Sequence, residues 1–386
     1  MSDPIYLDYN ATTPVAEEVI EAMTPALRDL WGNPSSGHVF GKRAAEALGR
    51  ARSQVASLLG CETDEVVFTS GGTESDNAAI VGVAEALADR GRHIVTTVIE
   101  HPAVEQTCVY LERRGWRVTR VSVDSNGRVD PAEVEAALDA ETVLVSVMHA
   151  NNETGVMQPI GEIASRIRPR GIVFHTDAAQ SVGKIDVRTN DLGVDLLSLV
   201  GHKLYGPKGV GALYIRRDTP FTRTMHGADH EAGRRSGTES TPQVVGLGAA
   251  CALAERELTE RHEHLRAMRD RLEAALRQRL PDLVLHAARA ERLPNTLSVA
   301  IPGVDANRLL SRLDGVATAA GAACHSGAVE PSRTLRAMGV SDDLASCTLR
   351  LTVGRGTSPD EIDSAAAQIA EAASEKGRGR TRRRRP

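Results

Sequence analysis

Strand-length apolar runs alternate with helix-length stretches through the first two-thirds of the chain. No other feature constrains the fold as tightly. The runs at 66–69, 93–98, 117–121, 142–148, 172–176, 195–200 and 211–215 include several too uniformly apolar for a sheet with one wet face. Between many of them lie helix-length segments, such as 43–59, 73–90 and 102–114. Parallel neighbours need crossovers of this length. The pattern therefore predicts an α/β fold, a mostly parallel sheet covered by helices on both faces.

After about residue 243 the texture changes. Residues 243–280 read as one Ala/Leu/Glu/Arg-rich helix stopped by Pro281. A strand at 295–300, a helix near 306–313, a small-residue loop at 319–328, a strand at 347–353 and a helix at 359–374 follow. This α+β pattern predicts a second, smaller domain, and 386 residues suit two or three folding units. The division expected is 16–256 for the large domain and 1–15 with 257–375 for the small one. A disordered basic tail over 376–386 completes it.

Composition narrows the function classes. With 41% hydrophobic and 25% charged residues the chain is not wholly disordered. No run of ~18 apolar residues predicts a membrane helix. The N-terminus shows no basic-then-apolar export signal. The net charge is −5, yet 376–386 alone carries seven positive charges, which leaves −12 on the rest. An acidic body argues against general nucleic-acid binding, and the tail stays open as a nucleic-acid or acidic-partner contact. Five cysteines at 61, 108, 251, 324 and 347 form no CxxC pair. That indicates neither a disulfide framework nor a zinc site and fits a reducing cytoplasm.

Polar residues gather where the strands end, the edge at which open α/β sheets bind ligands. The first run leads into Ser70-Gly71-Gly72-Thr73-Glu74-Ser75 and then a helix. Such a turn offers free N–H groups and a positive dipole end to a phosphate, unless it is an ordinary capped turn. The run 172–176 ends in Asp177, able to pair with a protonated ring nitrogen or to cap a helix. The run 195–200 ends in Gly201-His202-Lys203. A lysine at a strand end among glycines is a Schiff-base candidate. Lysine is scarce, standing only at 42, 184, 203, 208 and 376, which favours a used residue over a surface turn. Glu100-His101 and Asn151-Asn152-Glu153 follow two further strand ends, so these ends point to one crevice. In the loop Ala319-Ala320-Gly321-Ala322-Ala323-Cys324-His325-Ser326-Gly327 nothing bulky shields Cys324, which suits a nucleophilic thiol. The other four cysteines lack that setting and read as small core residues. Arg350 or Arg355 can clamp a substrate carboxylate.

Taken together, these motifs resemble the pyridoxal-phosphate-dependent cysteine desulfurases of the bacterial iron–sulfur-cluster type, within the class V aminotransferase group. The resemblance spans Tyr6-Leu-Asp-Tyr-Asn-Ala-Thr-Thr-Pro14 to 350–361. It rests on Phe68-Thr-Ser-Gly-Gly-Thr-Glu-Ser-Asp-Asn77, Met148-His-Ala-Asn-Asn-Glu153, Gly201-His-Lys-Leu-Tyr-Gly-Pro-Lys-Gly209 and Arg235-Ser-Gly-Thr238. It implies fold type I, a seven-stranded sheet in the large domain, a homodimer and pyridoxal 5'-phosphate as cofactor. It also implies turnover of L-cysteine to L-alanine, with a persulfide on Cys324 for a protein sulfur acceptor. The roles it implies are Lys203 as Schiff-base lysine, Asp177 at the pyridine nitrogen and His101 on the ring. Gln180 and Asn152 would stand on the phenolic-oxygen side. Gly72, Thr73 and His202 would bind phosphate, with Thr238 supplied by a partner subunit. Asn10, Asn152 and Arg350 would face the substrate. The spacing from Cys324 to Arg350 resembles the long-loop subgroup.

Three departures stand out. Val200 replaces the family's phosphate-binding serine, and Ser198, two residues away on the same strand face, offers the nearest hydroxyl. His325 follows the cysteine where a small hydroxyl residue is usual. The sequence ends in the Arg tail where housekeeping members carry a longer scaffold-docking extension. A thiol of pKa ~8.5 is only a few per cent ionised at neutral pH, so His101 or His325 is the expected acid–base partner. The first and second departures, with the basic end, resemble the desulfurase of DNA phosphorothioation. Iron–sulfur assembly and tRNA thiolation are the other destinations for the sulfur. A selenocysteine lyase or aminotransferase of the same fold, and a cofactor-free scaffold, are the competing readings.

Overall fold

A computed structural model describes residues 3–321 and 332–374 in full, and of 323–325 and 328–330 the backbone alone. A short strand, β1 (Ile5–Tyr6), opens it. Seven strands follow: β2 (Val66–Thr69), β3 (His93–Thr97), β4 (Arg117–Val121), β5 (Thr142–Ser146), β6 (Val173–Asp177), β7 (Leu196–Val200) and β8 (Gly211–Ile215). They form one sheet in the order β2-β8-β7-β6-β5-β3-β4. β8 runs antiparallel to both neighbours, and the other pairs are parallel. The mostly parallel sheet expected from the apolar runs is what the chain builds.

Both faces are dry. Val145, Phe174 and Leu197 point into one core and Leu144, Val173 and Leu196 into another, as period-two alternation requires of a sheet covered twice. Helices α1 (Glu17–Asp29) and α2 (Val39–Leu59) lie on the first side. α2 starts on His38, whose Nδ1 accepts from the Gly41 N–H, and stops on Gly60 at φ +64°. Helices α3 (Gly72–Ala86) and α4 (Pro102–Glu112) cover the second face through Ile80, Val83, Val104 and Cys108. The short helices α5 (Pro131–Ala136), α6 (Ile160–Ile167) and α7 (Thr189–Leu192) fill the later crossovers.

Helix α8 (Thr241–Arg279) has 39 residues, about 58 Å at 1.5 Å per residue. Its buried positions up to Ala254 join the sheet core. From Leu265 onward they join a second core. That core is built on β9 (Val284–Leu285), β10 (Thr296–Ala300) and, after α9 (Ala306–Leu310), β11 (Val316–Ala317) and β12 (Ala319–Ala320). Strands β12, β15 (Thr348–Thr352), β10 and β9 form an antiparallel sheet in that order. Helix α12 (Pro359–Ser374) covers it with Ile362 and Ile369. β1 pairs with β11, and Asp8 bridges Thr352, so the N-terminus is sewn to the C-terminal region.

The segment 319–328, expected as plain loop, differs in backbone. Ala319–Ala320 adds to the edge of β15, and β13 (Ala323–His325) pairs antiparallel with β14 (Ala328–Glu330). Small side chains do not prevent pairing where a neighbouring edge is free. Helices α10 (Arg333–Ala337) and α11 (Asp342–Ser346) follow that hairpin. The side chains of Cys324 and His325, and the whole of 375–386, lie outside the described residues.

Candidate active site

Because β2, β3, β5, β6 and β7 point the same way, the polar residues that end them meet at one edge of the sheet. They line a cavity of about 320 Å³. Gly72 and Thr73 enter it from the start of α3, and His101 from the start of α4. Asn152, Asp177 and Gln180 follow β5 and β6. His202 and Lys203 follow β7, Asn10 comes from the loop after β1, and Arg350 comes from β15. Residues 340 positions apart in sequence therefore face one another across the junction of the two cores. Thr238 does not line this cavity and is exposed.

The wall at α3 is built to receive an anion. Gly71, at φ +147°, precedes the helix and gives it no side-chain cap, so the N-terminal N–H groups face outward with the dipole's positive end. A Cβ at Gly211 would come within 2.9 Å of Gly71 Cα, so glycine there lets the turn lie flush on β8. Glu74 steadies the turn from outside. It accepts the Ser70 N–H at 2.7 Å and an Arg235 Nε–H at 2.8 Å.

Lys203 Nζ donates to the carbonyls of Asn10 and, at 2.8 Å, Ala11. Burial, helped by Arg350 and opposed by Asp177 and Asp8, pushes its ammonium down to about 8. A usable fraction is therefore free amine near neutrality, nucleophilic towards a carbonyl. Asp177 is 7% exposed, accepts the Ala179 N–H at 2.9 Å and is raised by burial. A buried carboxylate with that little support calls for a cationic partner. His101 Nδ1 accepts the Ala103 N–H at 3.1 Å, which puts its own proton on Nε2. Burial lowers it, so the ring is neutral. His202 bonds Thr12 Oγ1 through Nδ1 at 3.1 Å, and burial holds it near 4. Arg350 splits its guanidinium between Asp8 Oδ1 at 2.8 Å and the Asn152 carbonyl at 3.2 Å, while its Nε has no partner among the described residues.

One expectation is corrected. Ser198 does not stand in for the hydroxyl missing at Val200. It is fully buried, and its Oγ pairs with His175 Nε2 at 3.0 Å, away from the cavity. Sequence reasoning gave several other residues no role of their own. Asp76, one turn into α3, puts a second carboxyl beside Asp177 and His101, their polar atoms within 4.8 Å of one another. Glu153 holds the Ser332 hydroxyl and so ties down the segment after the Cys324 hairpin. Asn151 turns inward, accepting from the Glu153 and Thr154 N–H groups at 2.9 and 3.0 Å. Lys184, noticed only as one of few lysines, lies buried behind the wall. Cys108 and Cys251 are fully buried and Cys61 partly so; burial pushes the Cys61 and Cys108 thiols up to about 12.

Comparison with known proteins places this geometry. The family profile Aminotransferase class-V matches residues 5–364. Cysteine desulfurase IscS of Stutzerimonas stutzeri (strain A1501) is 48% identical over 378 residues, covering 96% of this chain and 93% of that protein. Among solved structures, a NifS-like protein superposes with a TM-score of 0.90 at 36% identity, over 96% of this chain and 99% of that one. DndA from Streptomyces lividans superposes with a TM-score of 0.77 at 35% identity, over 90% and 99%.

Proposed function

The chain belongs to the class V aminotransferase family, and from that premise we propose that it is a pyridoxal-phosphate-dependent cysteine desulfurase. It converts L-cysteine to L-alanine and carries the released sulfur as a persulfide on Cys324. The observation that carries this reading is the convergence of an uncapped helix start, a lysine amine lowered to about 8 and a buried carboxylate in one cavity. That donor set fits the cofactor: phosphate at Gly72 and Thr73, the carbonyl carbon at Lys203, the ring nitrogen at Asp177.

Bound there, pyridoxal phosphate supplies an aldehyde for amines and a ring that takes up the electron pair left on the substrate's Cα. The chain's own residues do the rest. Asp177 holds a proton at the ring-nitrogen end. Lys203, partly unprotonated near pH 8, holds and returns the Cα proton at Nζ. Arg350 orients the substrate carboxylate with Nε and its two Nη groups, giving up in part its contacts to Asp8 and the Asn152 carbonyl. His101 presents Nε2–H on the substrate side for proton transfer near sulfur. In the net transfer the Cys324 thiolate forms an S–S bond to the substrate sulfur. The C–S bond breaks, its electron pair goes to carbon, and a proton there completes alanine.

The same reading covers the wider assembly. Leu27 on α1, Trp31 in the connector after it, and Val39 and Phe40 at the start of α2 are exposed, with Trp31 stacked on Phe40, which supports burial against a second copy. Thr238, exposed and away from its own cavity, then serves the partner's phosphate. The change of core along α8 supports the division at 256/257. Among the described residues four cysteines are unpaired and no helix is long and apolar enough to cross a membrane, which supports a cytoplasmic enzyme. Likeness to DndA supports DNA phosphorothioation among the destinations for the sulfur.

The test is intact-protein mass spectrometry after L-cysteine is added to the yellow enzyme without reductant, followed by peptide mapping. Added sulfur on Cys324, absent in Cys324→Ser, is the expected result. Cofactor present with no added sulfur would replace this reading with an aminotransferase or a selenocysteine lyase.

A further inference from the structure

We propose that Lys184 is a positioning residue: an uncharged amine whose two N–H bonds lock the side-chain amides of Asn10 and Gln180 and so set the wall that faces Lys203. The inference rests on the cavity holding pyridoxal phosphate.

Lys184 is 6% exposed and makes no ion pair among the described residues. Its Nζ donates to Asn10 Oδ1 and to Gln180 Oε1, both at 3.0 Å. Two acceptors satisfy the two hydrogens of a neutral amine. An ammonium would bring a third hydrogen with no acceptor and a charge with no counter-ion, which burial makes costly. The charged groups acting on Lys184 are Lys203 and Arg350, both cationic, and with burial they drive its amine well below the usual lysine range.

The two amides carry this order into the cavity. Asn10 is saturated. Its Oδ1 accepts from Lys184 and from Asn295 Nδ2, and its Nδ2 donates to Thr296 Oγ1 at 3.0 Å and the Asn152 carbonyl at 3.2 Å. Its backbone carbonyl accepts from both Lys203 Nζ and Gln180 Nε2. Gln180 is thus held in one sense only. Flipped, its Oε1 would face the Asn10 carbonyl and its Nε2 would face the Lys184 donors. Held as it is, it turns its second Nε2–H toward the cavity that it lines. Lys184 also withholds a third positive charge from a site that already contains Lys203 and Arg350. The groups acting on Lys203 itself are Arg350, Asp177 and Asp8, with His101 and His202 alongside.

The test uses the holoenzyme and its visible absorbance. Lys184→Met keeps the side chain's length and removes both donors, Lys184→Gln restores a donor, and Gln180→Leu removes the amide through which Lys184 acts. We expect Lys184→Met to move the pH midpoint of the absorbance change by about half a unit or more. Cofactor affinity should fall about tenfold, as for a lost buried hydrogen bond. Lys184→Gln should recover most of both. The double variant Lys184→Met/Gln180→Leu should match Gln180→Leu alone. A Lys184→Met protein with lowered thermal stability but unchanged midpoint and cofactor affinity overturns the proposal, as does an additive double variant. Should the variants fail to fold, lysine-selective 15N NMR of the unaltered holoenzyme decides, since five lysines give few signals. A neutral buried amine supports the proposal and a charged one overturns it. A parent protein that binds no pyridoxal phosphate and shows no visible band would refute the proposed function instead.

Discussion

Val200 offers a direct measurement of what the anion cradle lacks. It ends β7 three residues before Lys203, is 5% exposed and lines the cavity. A Cβ placed on Gly72 would stand 3.8 Å from Val200 Cβ, and one on Gly71 would stand 3.9 Å from Val200 Cγ2. The valine side chain therefore stands beside the turn that would hold the phosphate. In Val200→Ser a hydroxyl replaces one of them, and no other hydroxyl competes from the same strand face, because Ser198 is spent on His175. A hydrogen bond to a charged group contributes about 1.5–3 kcal/mol. A hydroxyl that must also give up its water delivers the lower end, about tenfold tighter cofactor binding. The exchange removes buried apolar surface, so the fold should lose about 1–2 kcal/mol at the same time. Opposite signs make the result hard to mimic by general damage. The assay is reconstitution of the apoenzyme with pyridoxal phosphate, followed by absorbance, with inorganic phosphate as competitor. Affinity unchanged or weakened in both Val200→Ser and Val200→Thr would refute the argument that the cradle is short of a donor.

Glu100 gives a stability signature. Burial pushes its carboxyl up to about 8 from 4.5, against the help of Thr97 and the Met148 N–H. The native state keeps a proton that the unfolded chain loses, so stability should fall as pH rises between those values, by about 1.4 kcal/mol per unit. Urea midpoints of Glu100→Gln should lack that slope, and parallel curves for the two proteins would sink the assignment. Arg350→Lys replaces a planar fork by a point charge and should raise KM for L-cysteine by about tenfold or more, with kcat less affected. An unchanged KM would remove Arg350 from carboxylate binding.

Much of this was legible in the sequence for a physical reason. Buried parallel strands must be apolar along their whole length, so the seven runs showed themselves, and the polar residue that ends each run showed the ligand edge. Asp177, His101 and Lys203 could be placed that way because each position follows from its own strand. Lys184 could not. Its partners are Asn10, 174 residues earlier, and Gln180 within its own turn, and nothing local distinguishes a lysine folded inward from one in solvent. Ser198 misled for the converse reason. The strand's alternation fixed its face but not its depth, and one rung down that face lies beneath α3 instead of in the cavity. Asp76 was read as part of a Gly-rich turn and helix, yet its direction depends on how α3 crosses the sheet.

That crossing explains which of the two neighbouring carboxyls is charged. The strand face beneath α3 is apolar at Leu144, Val173 and Leu196, and one rung along it turns polar at Ser146, His175 and Ser198. His175 bonds Ser146 Oγ at 2.9 Å and Ser198 Oγ at 3.0 Å, one through each ring nitrogen. Complete burial holds the ring near 3, so it stays neutral. It cannot supply a positive charge to Asp76, whose Oδ1 lies 3.6 Å away without a hydrogen bond. Asp76 is thus raised by its own burial and by the charge of Asp177, opposed only by the Ser198 hydroxyl and by no cation. Asp177 has the Ala179 N–H and the Lys203 ammonium to favour its ionised form. Two carboxyls this close do not both ionise in a dry site, and the proton settles on the one with less support. Asp76 keeps it, and the negative charge stays on Asp177, the carboxyl that ends its strand at the cavity and that the proposed function sets against a ring nitrogen.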